Sequence, residues 1–106
     1  IAAHNMPSGI TNGEGEWIYI PKGFAHGCIF LEDTVIEYLC NSEYSPGNEA
    51  GINPLSGDLD WSLCNSDLKR QFDEKVAQGV IISDKDKEGL SFASWTNDPR
   101  SEKFVL

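Results

Sequence analysis

The spacing of apolar positions changes near residue 65. Before it, short aromatic and β-branched runs predict strands. "WIYI" (17–20) is one, ended by Pro21, Lys22 and Gly23. Phe24 to Leu31 predict a second, Glu32-Asp33-Thr34 a turn, and Val35 to Cys40 a returning strand, the clearest hairpin in the chain. "ITNGEGE" (10–16) reads as a Gly-rich polar turn and "NSEYSPGNEAG" (41–51) as loop; "INPLSGDLDW" (52–61) holds a turn and a short strand. After residue 65 the period becomes helical. "SDLKRQFDEKVAQG" (66–79) sets Leu68, Phe72 and Val76 at i, i+4 and i+8, one apolar stripe. Ser66 can cap its start, Asp67 suits the positive end of the dipole, and Gly79 can end it. The stripe should pack inward and leave Lys69, Asp73 and Lys75 in water. "VII" (80–82) reads as extended, "SDKDKEG" (83–89) as a polar turn, and "LSFASW" (90–95) as a short helix stopped before Asp98-Pro99. The pattern predicts a β-rich domain over 1–65 and a helical C-terminal appendage of the same domain over 66–106.

Side chains alternate faces along a strand, so Phe24, His26, Cys28 and Phe30 share one face and Ile36, Tyr38 and Cys40 share one on the returning strand. A three-residue turn pairs Cys28 with Tyr38 and His26 with Cys40. His26 and Tyr38 then become diagonal neighbours with β-carbons about 7 Å apart. One wall would carry an imidazole, a phenol and two thiols. Each has a plain structural reading as well. A strand histidine is commonly satisfied by a backbone carbonyl, and a strand tyrosine by packing. His26, Cys28 and Cys40 could be imagined around a metal. The one other histidine is His4, however, and no compact ligand spacing occurs, so no metal is expected.

Composition narrows the classes. The chain has 106 residues, enough for one domain, and is 40% hydrophobic and 24% charged, as soluble globular proteins are. No apolar run approaches the ~18 residues of a membrane helix, and no signal peptide is evident. A net charge of -9 argues against nucleic acid as a partner. Cys28, Cys40 and Cys64 cannot all pair within one chain and form no C-x-x-C, which predicts free thiols and a cytoplasmic setting. The first residue is Ile1 rather than Met, as expected of a processed chain or a piece of a longer one.

"IYIPKGFAHG" (18–27), "YLCNSEYSP" (38–46), "NEAGI" (48–52), "DLDW" (58–61) and "ISDKD" (82–86) follow one another in that order. Together they resemble the C-terminal part of the dTDP-4-dehydrorhamnose 3,5-epimerases and related 4-keto-6-deoxyhexose epimerases. The likeness covers residues 10–86. The segment 63–80 is longer than in common members, and the tail "GLSFASWTNDPRSEKF" looks like the ending of one branch.

The resemblance implies a mainly β, cupin-type (jelly-roll) β-sandwich, incomplete here at its N-terminus, and a homodimer that needs no metal or cofactor. It implies a dTDP-4-keto-6-deoxysugar as substrate. A base would take a proton activated by the 4-keto group, and an acid would return one to the opposite face. Tyr38 matches the family's proton-donor tyrosine. Asp86 matches the aspartate that pairs with the base histidine. His26, Glu49, Lys85 and Tyr44 match substrate contacts. The family's "RGLH"-like motif, with its base histidine and arginine, has no counterpart among these residues, and His4 lacks its flanking pattern. The chain is therefore expected to be a C-terminal fragment, inactive alone. A 5-epimerase, a 3-epimerase, a 3,4-ketoisomerase and a noncatalytic sugar-nucleotide-binding cupin fit the same residues.

Overall fold

The computed structural model describes residues 1–6 and 16–104. In chain order it contains a 3-10 turn at Pro46–Asn48, a second at Trp61–Leu63, helix α1 at Ser66–Gln78, helix α2 at Asp84–Lys87, helix α3 at Phe92–Thr96 and a third 3-10 turn at Pro99–Lys103. The Gly-rich turn expected at 10–16 falls almost wholly outside the described residues.

The expected cupin-type sandwich is not what the structure shows. Among the described residues there is no strand, only an isolated parallel bridge between Ile52 and Leu90. Segments 17–20, 24–31 and 35–40 carry the right residues for strands but form no ladder. The physical reason is that β-propensity describes how side chains fit a pleated, half-buried surface. A lone two-stranded hairpin is marginal without a third strand or a covering helix. Here these side chains face water: Val35 is 98% exposed and Tyr38 69%. The register that made His26 and Tyr38 diagonal neighbours falls with the ladder.

The overall dimensions agree. The radius of gyration is 15.2 Å, against about 13 Å for a compact chain of this length. The accessible surface is 9072 Å², against about 5,900 Å² for a folded monomer of this mass. No described residue is fully buried.

Order is concentrated after residue 50. α1 starts one residue earlier than its sequence suggested. Asn65, not Ser66, is the cap, and its side-chain oxygen accepts from the amides of Asp67 (2.9 Å) and Leu68 (3.2 Å). Gly79 ends the helix at φ 92°, a left-handed conformation that costs a β-carbon-bearing residue energy. Leu68, Phe72 and Val76 are half-buried on one face. Phe72 packs on Trp61, ring centroids 4.9 Å apart, and the Trp61 indole N–H donates to the Pro54 carbonyl at 3.0 Å. Asp73 is exposed as expected. Lys69 and Lys75 are half-buried, Lys69 paired with Asp73 at 2.5 Å and Lys75 donating to the Leu31 carbonyl at 3.3 Å.

The bridge joins the 51–53 segment to the end of α2. The Asn53 amide donates to the Leu90 carbonyl and the Leu90 amide to that of Gly51, both at 2.9 Å. Gly89 makes this approach possible, since a β-carbon there would lie 2.7 Å from the Asn53 nitrogen. α2, read from sequence as a polar turn, is a single helical turn capped by Ser83, and α3 is capped by Ser91.

Candidate functional site

Glu49 is presented by a tight turn. The Asn48 amide donates to the Ser45 carbonyl at 2.9 Å, and the Asn48 side chain to Ser45 Oγ at 2.7 Å. Pro46 at the first position presets the 3-10 conformation. The bridge at Ile52 brings this turn beside α2, where Lys85 Nζ lies 2.5 Å from Glu49 Oε2. The Tyr44 hydroxyl donates to the same oxygen at 3.4 Å. Tyr44, Glu49 and Lys85, the last 36 positions from Glu49 along the chain, therefore meet at one carboxylate.

The hydrogen bond to Glu49, and then its charge, raise the Lys85 pKa above the ordinary lysine value. Lys85 is thus an ammonium at neutral pH. It can donate hydrogen bonds and balance negative charge, but it cannot act as a base.

Asp86 stands next to Lys85 on α2 but is engaged locally. Its carboxylate accepts from Ser83 Oγ at 2.6 Å, and its amide donates to the same hydroxyl at 3.1 Å. His26 and Tyr38 are both exposed and make no hydrogen bond to described residues. The structure thus brings Tyr44, Glu49 and Lys85 together and does not join His26, Tyr38 or Asp86 to them by any hydrogen bond. Among the described residues, no three of His, Cys, Asp and Glu lie grouped as a metal-binding set. Cys28, Cys40 and Cys64 are free thiols, and His4 pairs with Glu16 at 2.5 Å.

Two features went unread in the sequence. Asp58, in "DLDW", accepts from the amides of Phe92 (3.1 Å) and Ala93 (2.8 Å) at the start of α3, and from the Ser56 hydroxyl. The Ser56 bond and then the Ala93 amide hold its pKa below the ordinary aspartate value. The second is the tail. Asp98 holds Arg100 by two bonds, 2.9 Å to Nε and 2.7 Å to Nη2, and caps the Pro99–Lys103 turn through the Arg100 amide at 2.9 Å. These bonds, the guanidinium's first, pull Asp98 down to about 2. The signal available was "DPR": an acid before proline, with a cation two residues on.

Residues 6–94 match the family model described as dTDP-4-dehydrorhamnose 3,5-epimerase. The chain belongs to this family. Among curated proteins it is similar to the dTDP-4-dehydrorhamnose 3,5-epimerase of Methanothermobacter thermautotrophicus, 34% identical over 73 residues, covering 65% of this chain and 33% of the relative. The enzyme of the same name from Mycobacterium tuberculosis is 31% identical over 78 residues, covering 71% of this chain and 33% of the relative. That of Streptomyces griseus is 30% identical over 74 residues, covering 69% and 36%. The chain spans about a third of the length of the curated relatives it matches. No solved structure matches it significantly. The matched span 6–94 contains all six of the picked residues, Tyr38 and Asp86, His26, Glu49, Lys85 and Tyr44.

Proposed function

We propose that this chain supplies part of the active site of a sugar-nucleotide epimerase acting on dTDP-4-dehydro-6-deoxyglucose. The ketone at C4 acidifies the protons on C3 and C5. A base removes one, an enolate forms, and an acid returns a proton to the opposite face. Tyr38 is assigned the returning proton. A phenol O–H can give its proton to a carbanion-like carbon. The removing base is assigned to a histidine beyond residues 1–106, and Asp86 to its support. His26, Glu49, Lys85 and Tyr44 are assigned to the substrate. Lys85, held as an ammonium, can carry charge that develops on the enolate oxygen. Glu49 can accept from sugar hydroxyls while it keeps Lys85 in place.

The observation that carries this reading is the meeting of Lys85 and Tyr44 on Glu49 Oε2, in a chain of this family. Isolated surface ion pairs are common and contribute little. Here a phenol and an ammonium converge on one carboxylate oxygen, a polar cluster rather than an isolated pair. The reading extends to a homodimer, which sedimentation of the intact encoded protein would test. No helix among the described residues is long and apolar enough to cross a membrane.

The direct test incubates the intact encoded protein with dTDP-4-dehydro-6-deoxyglucose in deuterated water. Deuterium should enter at C3, at C5 or at both, which also separates the 3,5-epimerase from its single-carbon relatives. A protein that binds the sugar nucleotide without deuterium uptake would instead be a noncatalytic binder.

A further inference from the structure

Helix α2 has little of its own to hold it in place. Its residues, Asp84, Lys85, Asp86 and Lys87, include no apolar side chain, and all four are exposed. A single helical turn is not stable by itself. What seats α2 is polar contact. Among the described residues, two side-chain hydrogen bonds reach it from distant parts of the chain: Lys85 Nζ to Glu49, and Asn53 Nδ2 to the Lys87 carbonyl at 3.0 Å. The second meets a carbonyl at the open C-terminal end of the turn, where a helix lacks donors of its own.

The Asn53 side chain is committed at both of its ends. Its Oδ1 accepts from the Leu55 amide at 2.9 Å, which closes a turn on its own backbone and fixes the side chain. With Oδ1 facing an amide, Nδ2 is the donor left for Lys87. The Asn53 amide donates to the Leu90 carbonyl at 2.9 Å, at the point where Gly89 lets the two segments approach. One residue thus holds both the C-terminal end of α2 and the bridge beyond it. Asn53 lies four residues after Glu49, and Lys87 two residues after Lys85. The Asn53 contact therefore spans the same two segments as the ion pair.

We infer that Asn53 is a positioning residue for Lys85. By holding the Lys87 carbonyl it sets where α2 lies against the 49–53 segment, and so keeps the ammonium at Glu49 Oε2. Without that contact the backbone bridge alone would hold the C-terminal side of α2, and Lys85 would sample a wider range of positions. A misplacement of about 1 Å in a working group can cost about 10²-fold in rate. The part of Asn53 in turnover rests on the epimerase reading; its hold on Lys85 does not.

Asn53→Ser in the intact encoded protein tests this. A serine hydroxyl can still close the turn with the Leu55 amide but is too short to reach Lys87. The kcat/KM for dTDP-4-dehydro-6-deoxyglucose should fall about tenfold. In a Lys85→Met background the same substitution should change kcat/KM by less than about twofold, because the group it places is gone. Asn53→Asp, which keeps the turn-closing oxygen and loses the donor, should repeat the pattern. A second readout needs no turnover. Labelling of Lys85 by an amine-reactive ester, followed by mass spectrometry, should quicken about threefold in Asn53→Ser, the scale of an exposed ion pair. Equal tenfold losses in both backgrounds, or unaltered labelling, would overturn the positioning role. Faster labelling in a protein without deuterium uptake would uphold it and end the epimerase reading. Uptake alongside unaltered labelling would do the reverse.

Discussion

Lys85 of α2 and Glu49 of the 46–48 turn are joined by a 2.5 Å ion pair, with Tyr44 donating to the same carboxylate oxygen. The lysine side chain is 64% exposed and the glutamate 35%. Such a pair is too open to solvent to matter much for folding, so its value lies in orientation. Glu49→Gln should leave the urea midpoint nearly unchanged while raising KM for the nucleotide sugar about tenfold, the scale of one charge-assisted contact. An unchanged KM would leave the pair an ordinary surface contact.

Asp98 gives the chain an acid-sensitive tail. Its folded pKa lies at about 2 against an ordinary 3.8, so its contribution is complete above 3.8 and is lost as pH falls through about 2. Asp98→Asn keeps a capping side chain but removes the charge. The difference in urea midpoint between wild type and this variant should be constant from neutral pH down to the ordinary aspartate value and then shrink towards pH 2. A difference that persists undiminished at pH 2 would mean the guanidinium contact is not what lowers the pKa.

Phe72 is half-buried against Trp61 rather than enclosed. Phe72→Ala should therefore cost about 1–2 kcal/mol, less than the ~3–5 kcal/mol of a full core truncation. A double-mutant cycle with Trp61→Leu should return a coupling of about 0.5–1.5 kcal/mol. No coupling would mean the two rings do not share the stabilisation.

Asn65 takes the amides of both Asp67 and Leu68 at the start of α1. Asn65→Ala should cost about 1 kcal/mol, and Ser66→Ala far less. Chemical denaturation of the two variants side by side settles which residue is the cap.

The helical third of the molecule was legible because its signals are local. A 3.6-residue stripe from Leu68 to Val76, a polar cap and a glycine at 79 define α1 without reference to the rest of the chain. The short helix read over 90–95 and stopped before Asp98-Pro99 corresponds to α3. α2 was missed because one helical turn carries no period. Its trace was the Ser83–Asp86 spacing of three, which closes a capping bond. The strands failed for the opposite reason: a strand exists only by pairing, and residues 17–40 do not pair among the described residues. At the site, Tyr44, Glu49 and Lys85 could be chosen from motif order and proved to be neighbours. The Asp98–Arg100 contact of the tail could not, because it depends on how the chain turns at Pro99.

The assignment of Tyr38 as the returning acid is the centre of the functional account. Its most direct measurement compares wild type with Tyr38→Phe in deuterated water, following both deuterium uptake and inversion at C3 and C5 of dTDP-4-dehydro-6-deoxyglucose by NMR. The phenyl ring keeps the bulk of the side chain and removes only the acid, so substrate affinity should stay near that of wild type. The base can still take a proton and return a deuteron to the same face. The variant should therefore exchange hydrogen for deuterium while inversion slows about 10²–10⁴-fold. Inversion at the wild-type rate in Tyr38→Phe would contradict the account and leave Tyr38 without a part in proton transfer.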